Sequence, residues 1–470
     1  MNFMIAFGLA SVMLSIGMIL RTKVPFFQNM LVPASVLAGL LGLLVMNSGW
    51  TLGADAALFT DIVNYLFTLT FISIGLTSST LPQRPGYSAG KEIVRGSMGM
   101  ALVWNMLYAL TPVVGIIVLL LIGGFFGMNP LYGLLVPFAF TQGPGQAAAF
   151  GTVFEQQYGI ENAAMVGLTF AVIGFIACFL IGVPLAKYGL RKGLAKYADK
   201  GNLEGYVKRG YFSKEEKRDS LGRETVYAGN MDTMTFHFAV MGICFLMALG
   251  IAELISYIPL IGPSISGFLF VYGMVAGYIV KYVMRTFKID HLLDNTFQTK
   301  ITGWSTDYLV VTSFMAVQFS VIAAWAVPIT ILSVLIILIT LVTVLYFGKR
   351  FGGEDDFSRT LGLYGSAIGT VPSGLALIRI VDPSLRSNTA VELGLMNLPM
   401  TMATFITVSA VLPIASGAVS YPVGMALLLA PIPVYLILLK VFRAWGKKTY
   451  DFQNPPEGEM AVETGQNKVI

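Results

Sequence analysis

Two tracts of small and polar residues stand inside otherwise apolar stretches, and their residue types define the chemistry open to them. The first is Thr141-Gln142-Gly143-Pro144-Gly145-Gln146. The second runs from Tyr364 to Gly374 and carries Ser366, Gly369, Thr370, Ser373 and Gly374. Their side-chain and backbone oxygens are neutral and hard, which suits a cation such as Na⁺. A helix that starts at such a tract aims its free N–H groups and positive dipole end forward, which favours an anion such as a carboxylate. Neither tract holds a titratable membrane acid or histidine, so sodium coupling is favoured over proton coupling. The sequence has no His/Cys/Asp metal spacing, no GxSxG and no GxxxxGK[ST] loop. It therefore offers no catalytic constellation, no metal centre, no organic cofactor site and no nucleotide-driven pump.

What positions these tracts follows from composition. The chain has 470 residues, of which 30 are Lys or Arg and 25 Asp or Glu. That is 12% charged, against about 25% in a soluble domain. Hydrophobic residues make up 56% and mean hydropathy is +0.74. No charged residue occurs in 1–20, 24–54, 62–83, 96–154, 162–186, 233–252, 254–280, 308–348, 360–378 or 393–439. A membrane helix needs about 20 apolar residues, so each stretch supplies a span or half-span. The chain reads as an all-α polytopic membrane protein embedded in a lipid bilayer, which excludes a soluble enzyme or a nucleic-acid binder. Cys178 and Cys244 sit inside apolar runs and imply no disulfide framework. The first cations, Arg21 and Lys23, follow the first apolar run, so residues 3–20 are expected as an uncleaved helix.

Spans are expected near 3–20, 30–47, 59–78, 98–124, 163–186, 234–256, 264–285, 305–323, 327–347, 391–412 and 421–442. The interrupted segments 131–154 and 360–380 do not fit that pattern. If each enters and leaves on one side, the N-terminus lies outside, the C-terminus is cytoplasmic, and every Lys and Arg falls inside, a clean positive-inside arrangement. A full crossing by either segment would destroy the asymmetry. The stretch 187–232 mixes both charge signs with few large apolar residues and reads as a cytoplasmic linker.

The linker separates two sets with one plan: 1–186, with the interrupted segment 131–154, and 233–416, with 360–380. Residues 417–470 add an extra helix and a tail. Five spans in the first set, an odd number, make the second set start from the opposite side, so the repeats are inverted, and paired broken segments mark a secondary transporter's central site. From Leu131 to Phe140 is about ten residues, or roughly 15 Å of helix, half a hydrocarbon core. Gly143, Pro144 and Gly145 then stop the helix at a depth where irregular backbone must be buried or line a cavity. Ser73, Gly75, Thr77 and Ser78, with Thr312, Ser313 and Gln318 in the counterpart helix, are candidate sodium ligands, although each type more often makes helix–helix hydrogen bonds. Arg379 is a candidate for a second substrate carboxylate, with snorkelling to the cytoplasm as the plainer role. His237, His291 and Glu253 are expected near membrane interfaces. A channel is the alternative, because broken helices also build filters, but two tips of different sequence favour a carrier.

At these residues the sequence resembles the bacterial sodium/glutamate symporter family. The likeness runs from Val32-Pro33 to about residue 412 and is strongest in 131–186, where Leu131-Tyr-Gly-Leu-Leu precedes the first tip and Glu155-Gln-Gln-Tyr158-Gly159 follows it. Gly362 to Gly374 carries the second tip, and Ile72-Ser-Ile-Gly75-Leu76 is similar to the family's third helix. Departures are local. Gln142-Gly143-Pro144-Gly145-Gln146-Ala147 stands where the family has Gly-Gly-His-Gly-Thr-Gly, Pro33-Ala34-Ser35 where it has Pro-Glu-Pro, and Gly362-Leu363 where it has Gly-His. The resemblance implies a sodium-driven carrier for glutamate, or a related small amino acid or carboxylate. It further implies re-entrant loops, a homodimer in the bacterial inner membrane, and a transport domain that slides against a scaffold.

Overall fold

A chain without water around it satisfies its backbone polar groups internally, and helices do this within one segment. The computed structural model describes residues 2–77, 90–195, 205, 209–216, 218, 220–258, 266, 268–382 and 386–452, and all regular structure among them is helical. Ser78 and the opening residues 264–265 of the expected 264–285 span lie outside the described residues.

In chain order, α1 (Asn2–Lys23) turns through a short helix, Pro25–Met30, into α2 (Ala34–Asn47), and α3 (Ala56–Leu76) follows. The side chain of Asp55 caps α3 by accepting from the Ala57 amide. Then come α4 (Gly90–Ile122), the turn Pro130–Leu135 leading into Val136–Phe140, α5 (Pro144–Tyr158) and α6 (Ala163–Arg191). The second half holds α7 (Thr233–Ser256), α8 (Leu269–Thr286), α9 (Asn295–Met315), α10 (Ala326–Gly348), α11 (Asp356–Ile368) and α12 (Val371–Val381). After the short helix Thr389–Leu395 come α13 (Asn397–Ala415), α14 (Tyr421–Leu429) and α15 (Pro431–Val441). Eight helical stretches among the described residues are long and apolar enough to cross a membrane, as a polytopic membrane protein requires.

Boundaries differ from expectation where caps decide them. The span expected at 305–323 begins at Asn295, because Asp294 accepts from the Phe297 amide at 2.7 Å, and it ends at Met315. That shift brings Lys300 inside the helix. Where 391–412 was expected, Thr389–Leu395 and α13 follow each other. The 421–442 span is interrupted at Pro431, which has no amide proton to continue the ladder.

Packing sorts these helices into two groups. In one, α3 lies between α8 and α9, α9 also packs on α2, and the pairs α1–α2 and α7–α8 flank them. Gly75 of α3 runs against the backbone of α8, where a β-carbon would stand 2.5 Å from the Met274 carbonyl oxygen, so small residues set this approach. In the other group, α4 packs on the Pro130–Leu135 turn, α10, α13 and α15, while α6 packs on α5, α11 and α12. The groups meet where α5 touches α3 and α9.

Candidate functional site

Both polar tracts are breaks between two helices. Val136–Phe140 ends at Thr141, and Gly143 takes φ +82°, ψ −171°, a region essentially reserved for glycine. Its amide still donates to the Ala139 carbonyl at 3.1 Å, and its own carbonyl accepts from Ala147 at 3.1 Å as the first bond of α5. Pro144 occupies the first turn of α5, where a missing amide proton costs nothing. Two helices therefore end and begin within three residues. Thr141 and Gln146 are buried there, and the Thr141 hydroxyl donates back to the Pro137 carbonyl.

The second break is built alike. Helix α11 ends at Ile368, Gly369 takes φ −146°, ψ −104°, Thr370 is extended, and α12 starts at Val371-Pro372 with Gly374 donating to the Thr370 carbonyl at 3.0 Å. The Thr370 and Ser373 hydroxyls are 3.1 Å apart, and Ser366 donates to the Gly362 carbonyl at 2.8 Å. The two arms press together at Gly365 and Gly374, where a β-carbon on Gly365 would stand 2.6 Å from the Gly374 α-carbon.

The fold brings the two breaks into contact. A β-carbon on Gly143 would stand 2.5 Å from Thr370 Cγ2 and 3.5 Å from the Gly369 carbonyl oxygen. Gly145 lies flat against the Phe67 ring of α3, with 2.0 Å between its absent β-carbon and that ring, which ties the first break to the other helical group. Helix α6 passes behind both, with Gly174 close to the Ile368 carbonyl and the Phe140 ring.

Side chains from α4 and α13 complete the surroundings of the first break. Gln142 Nε2 donates to Thr404 Oγ1 at 3.1 Å. The fully buried Tyr108 hydroxyl lies 3.5 Å from Gln146 Oε1, its ring stacked on Trp104 at 4.7 Å. One turn away, Asn105 donates to the Pro399 carbonyl while its Oδ1 is buried with no hydrogen-bond partner. Trp104, Asn105, Tyr108 and Thr404 are absent from the residues expected from sequence. The readable signal was Asn105 and Tyr108 at helical spacing in a long charge-free stretch.

Among the described residues, the candidate sodium ligands lie in the α3/α9 seam and at its ends, with no hydrogen bond joining them to the breaks. Ser73 donates to the Gln298 carbonyl at 2.8 Å and accepts from Thr302 at 2.8 Å. One turn up, Thr70 and Ser305 pair at 2.9 Å. The amide of Gln298 is buried with neither end hydrogen-bonded. Gly75 packs on α8, and Thr77 caps α3 and donates to the Ser73 carbonyl. Thr312 and Ser313 are buried and bond within α9, and Gln318 precedes the short turn Phe319–Ile322. Arg379 is exposed in the last turn of α12.

Two features were not legible beforehand. His237 is fully buried: its Nε2 accepts from the Asp294 amide at 2.9 Å, so Nδ1 carries the proton facing the Thr233 carbonyl at 2.8 Å. Arg359, one of the cations expected on the cytoplasmic side, is fully buried at the base of α11. It forms a bidentate pair with the fully buried Glu392 at 2.7 and 2.5 Å and bonds Asp356 at 2.9 Å.

Residues 1–384 match the family model described as sodium/glutamate symporter. A sodium/glutamate symporter of Escherichia coli (strain K12) is 29% identical over 185 residues, which is 38% of this chain and 42% of that protein. The one from Haemophilus influenzae (strain ATCC 51907 / DSM 11121 / KW20 / Rd) is 26% identical over 192 residues, 39% of this chain and 44% of its own. The alignments thus span less than half the length of these curated relatives.

Proposed function

The chain belongs to the sodium/glutamate symporter family, and from that membership we propose that it is a Na⁺-coupled symporter importing glutamate or a related small amino acid or carboxylate, a transporter and not an enzyme. The observation that carries this reading is the contact between the two breaks at Gly143 and Thr370. A substrate carboxylate is received beside this contact by the helix starts at Pro144 and Val371. Gln142, Gln146, Thr370 and Ser373 supply neutral polar contacts. Sodium takes neutral oxygens, and the Ser73, Thr302 and Gln298 seam, with its unpartnered buried amide, supports a role for these residues in holding it.

The proposed architecture is a pair of inverted repeats with re-entrant tips. Paired packing supports it: α1–α2 has its counterpart in α7–α8, and α3 on α8 has its counterpart in α9 on α2. The division into two helical groups supports a sliding, elevator-like alternation of access, with α3 and α9 in the scaffold and both tips in the mobile part. In this reading the protein is a homodimer in the bacterial inner membrane, with the N-terminus outside and the C-terminus cytoplasmic.

The test is uptake of labelled L-glutamate into proteoliposomes under an inward Na⁺ gradient, with K⁺ replacing Na⁺ in the control. Saturable accumulation that needs Na⁺ is the expected result. Flux driven by a proton gradient with no response to Na⁺ would overturn the coupling ion. Uptake of another carboxylate in place of glutamate would fix the substrate within the proposed class, and uptake of no amino acid or carboxylate would overturn that class.

A further inference from the structure

We propose that residues 443–452, which follow α15, form a strap that positions the second break, with Thr449 and Tyr450 as its positioning residues. The inference rests on the reading that the breaks form the substrate site. The strap lies beyond residues 1–384, the part that matches the family model.

The strap is attached by backbone and side chain. Gly446 donates to the Arg350 carbonyl at 2.9 Å and Thr449 to the Lys349 carbonyl at 2.8 Å, which seats it along the turn between α10 and α11. From there it reaches the base of α11, a helix buried at every position. Asp356, its first residue, accepts from the amides of Gly352 and Gly353 and from Arg359, and its Oδ2 lies 2.7 Å from the Thr449 hydroxyl. Thr360 spends its single hydroxyl proton on the Asp356 carbonyl at 2.8 Å. The Tyr450 hydroxyl, 2.7 Å away, is therefore the donor to Thr360 Oγ1. Burial pushes the Tyr450 phenol above its ordinary range, so it keeps that proton.

Rings extend the attachment to α6. Phe452 sits between Tyr188, near the end of α6 and tilted at 5.6 Å, and Phe357, edge-on at 6.3 Å, and Lys349 Nζ stands 4.4 Å over its face. Tyr450 meets Phe357 edge-on at 5.5 Å. One segment thus joins α11, the helix that leads to the second break, to α6, which passes behind it. From Thr360 to Thr370 is roughly 15 Å along a helix at 1.5 Å per residue, and α11 passes as a stiff rod from one to the other. Held at its base, α11 presents Gly369 and Thr370 to Gly143 at a fixed height. Released there, it would shift along α6 and open the contact between the breaks.

Initial uptake rates and hydrogen exchange on Tyr450→Phe, Thr449→Val and the double variant test this, since these changes keep the shape of each side chain. The double variant is expected to raise the apparent KM for substrate at least fivefold while Vmax falls less than twofold. Thr449→Ser, which keeps the hydroxyl, should retain the wild-type KM. Amide exchange at 356–374 should rise at least tenfold, with α3 unchanged. Faster exchange with an unaltered KM would make the strap a structural element only and overturn its positioning role, and no change in either readout would remove it altogether. If the wild-type protein ignores glutamate, only glutamate is removed from the proposed substrate class. The same two readouts, exchange at 369–374 and the KM for a carboxylate that the wild-type protein does take up, then decide the strap: a raised KM with tenfold loss of protection upholds it, and an unaltered KM or unchanged protection overturns it.

Discussion

Gly143 and Thr370 meet where the two interrupted helices face each other, and the space between them excludes even a methyl group. A β-carbon on Gly143 would stand 2.5 Å from Thr370 Cγ2, and the backbone there has φ +82° and ψ −171°. The two requirements are independent, one steric and one conformational, and each can be altered alone.

Gly143→Ala should insert normally and lose at least tenfold in uptake, because the glycine-only conformation costs about 1–3 kcal/mol and the methyl strikes Thr370. Adding Thr370→Ser removes the struck methyl and should restore part of the rate. Wild-type uptake in Gly143→Ala would dissociate this contact from transport.

Gly145 tests the junction between the helical groups. Leucine there would drive into the Phe67 ring, and Gly145→Leu should abolish uptake while surface labelling shows the protein in the membrane. Gly145→Ala should be milder, and Phe67→Ala in the same chain should recover part of its loss by opening the space. A Gly145→Leu protein with normal rates would show that α5 need not lie flat on α3. Gly369→Leu, crowding the Gly365 carbonyl and Ser373, is expected to fail in the same way.

Tyr108→Phe removes a buried hydroxyl beside Gln146 and leaves the ring on Trp104. It should raise the apparent KM for substrate about threefold to tenfold, the effect of losing one hydrogen bond of about 1 kcal/mol, with protein stability unchanged. Gln142→Leu should act in the same direction. Unaltered KM in both would place the substrate away from the first break.

Glu392→Gln leaves the buried Arg359 without its bidentate counter-charge. Breaking such a pair costs about 3–5 kcal/mol, which thermal unfolding in detergent would register as a large fall in Tm. Replacing both members, Arg359→Met with Glu392→Leu, should cost less than either single change. A double variant as unstable as the single ones would point instead to Asp356 as the partner that matters.

Much of this was legible locally. Charge-free stretches of about 20 residues identify membrane helices because ions are expensive in hydrocarbon. The breaks at Gly143-Pro144 and Gly369 were visible because glycine and proline cannot carry a helix onward through those positions. The start of α9 at Asn295 was missed because its charged and polar first turns hid the cap at Asp294.

What the sequence by itself determined was therefore which segments are helical and apolar, and where two of them are interrupted. The tertiary structure alone decided that Gly143 faces Thr370, that Tyr108, Asn105 and Thr404 surround the first break, and that Arg359 is buried against Glu392. It also decided that Ser73 spends its hydroxyl on Gln298 and Thr302 in a helix seam. Helix formation and interruption depend on neighbours within a turn, which a linear reading contains. Which polar side chains meet depends on how distant helices cross, and small residues such as Gly75 and Gly145 set those crossings without naming their partners.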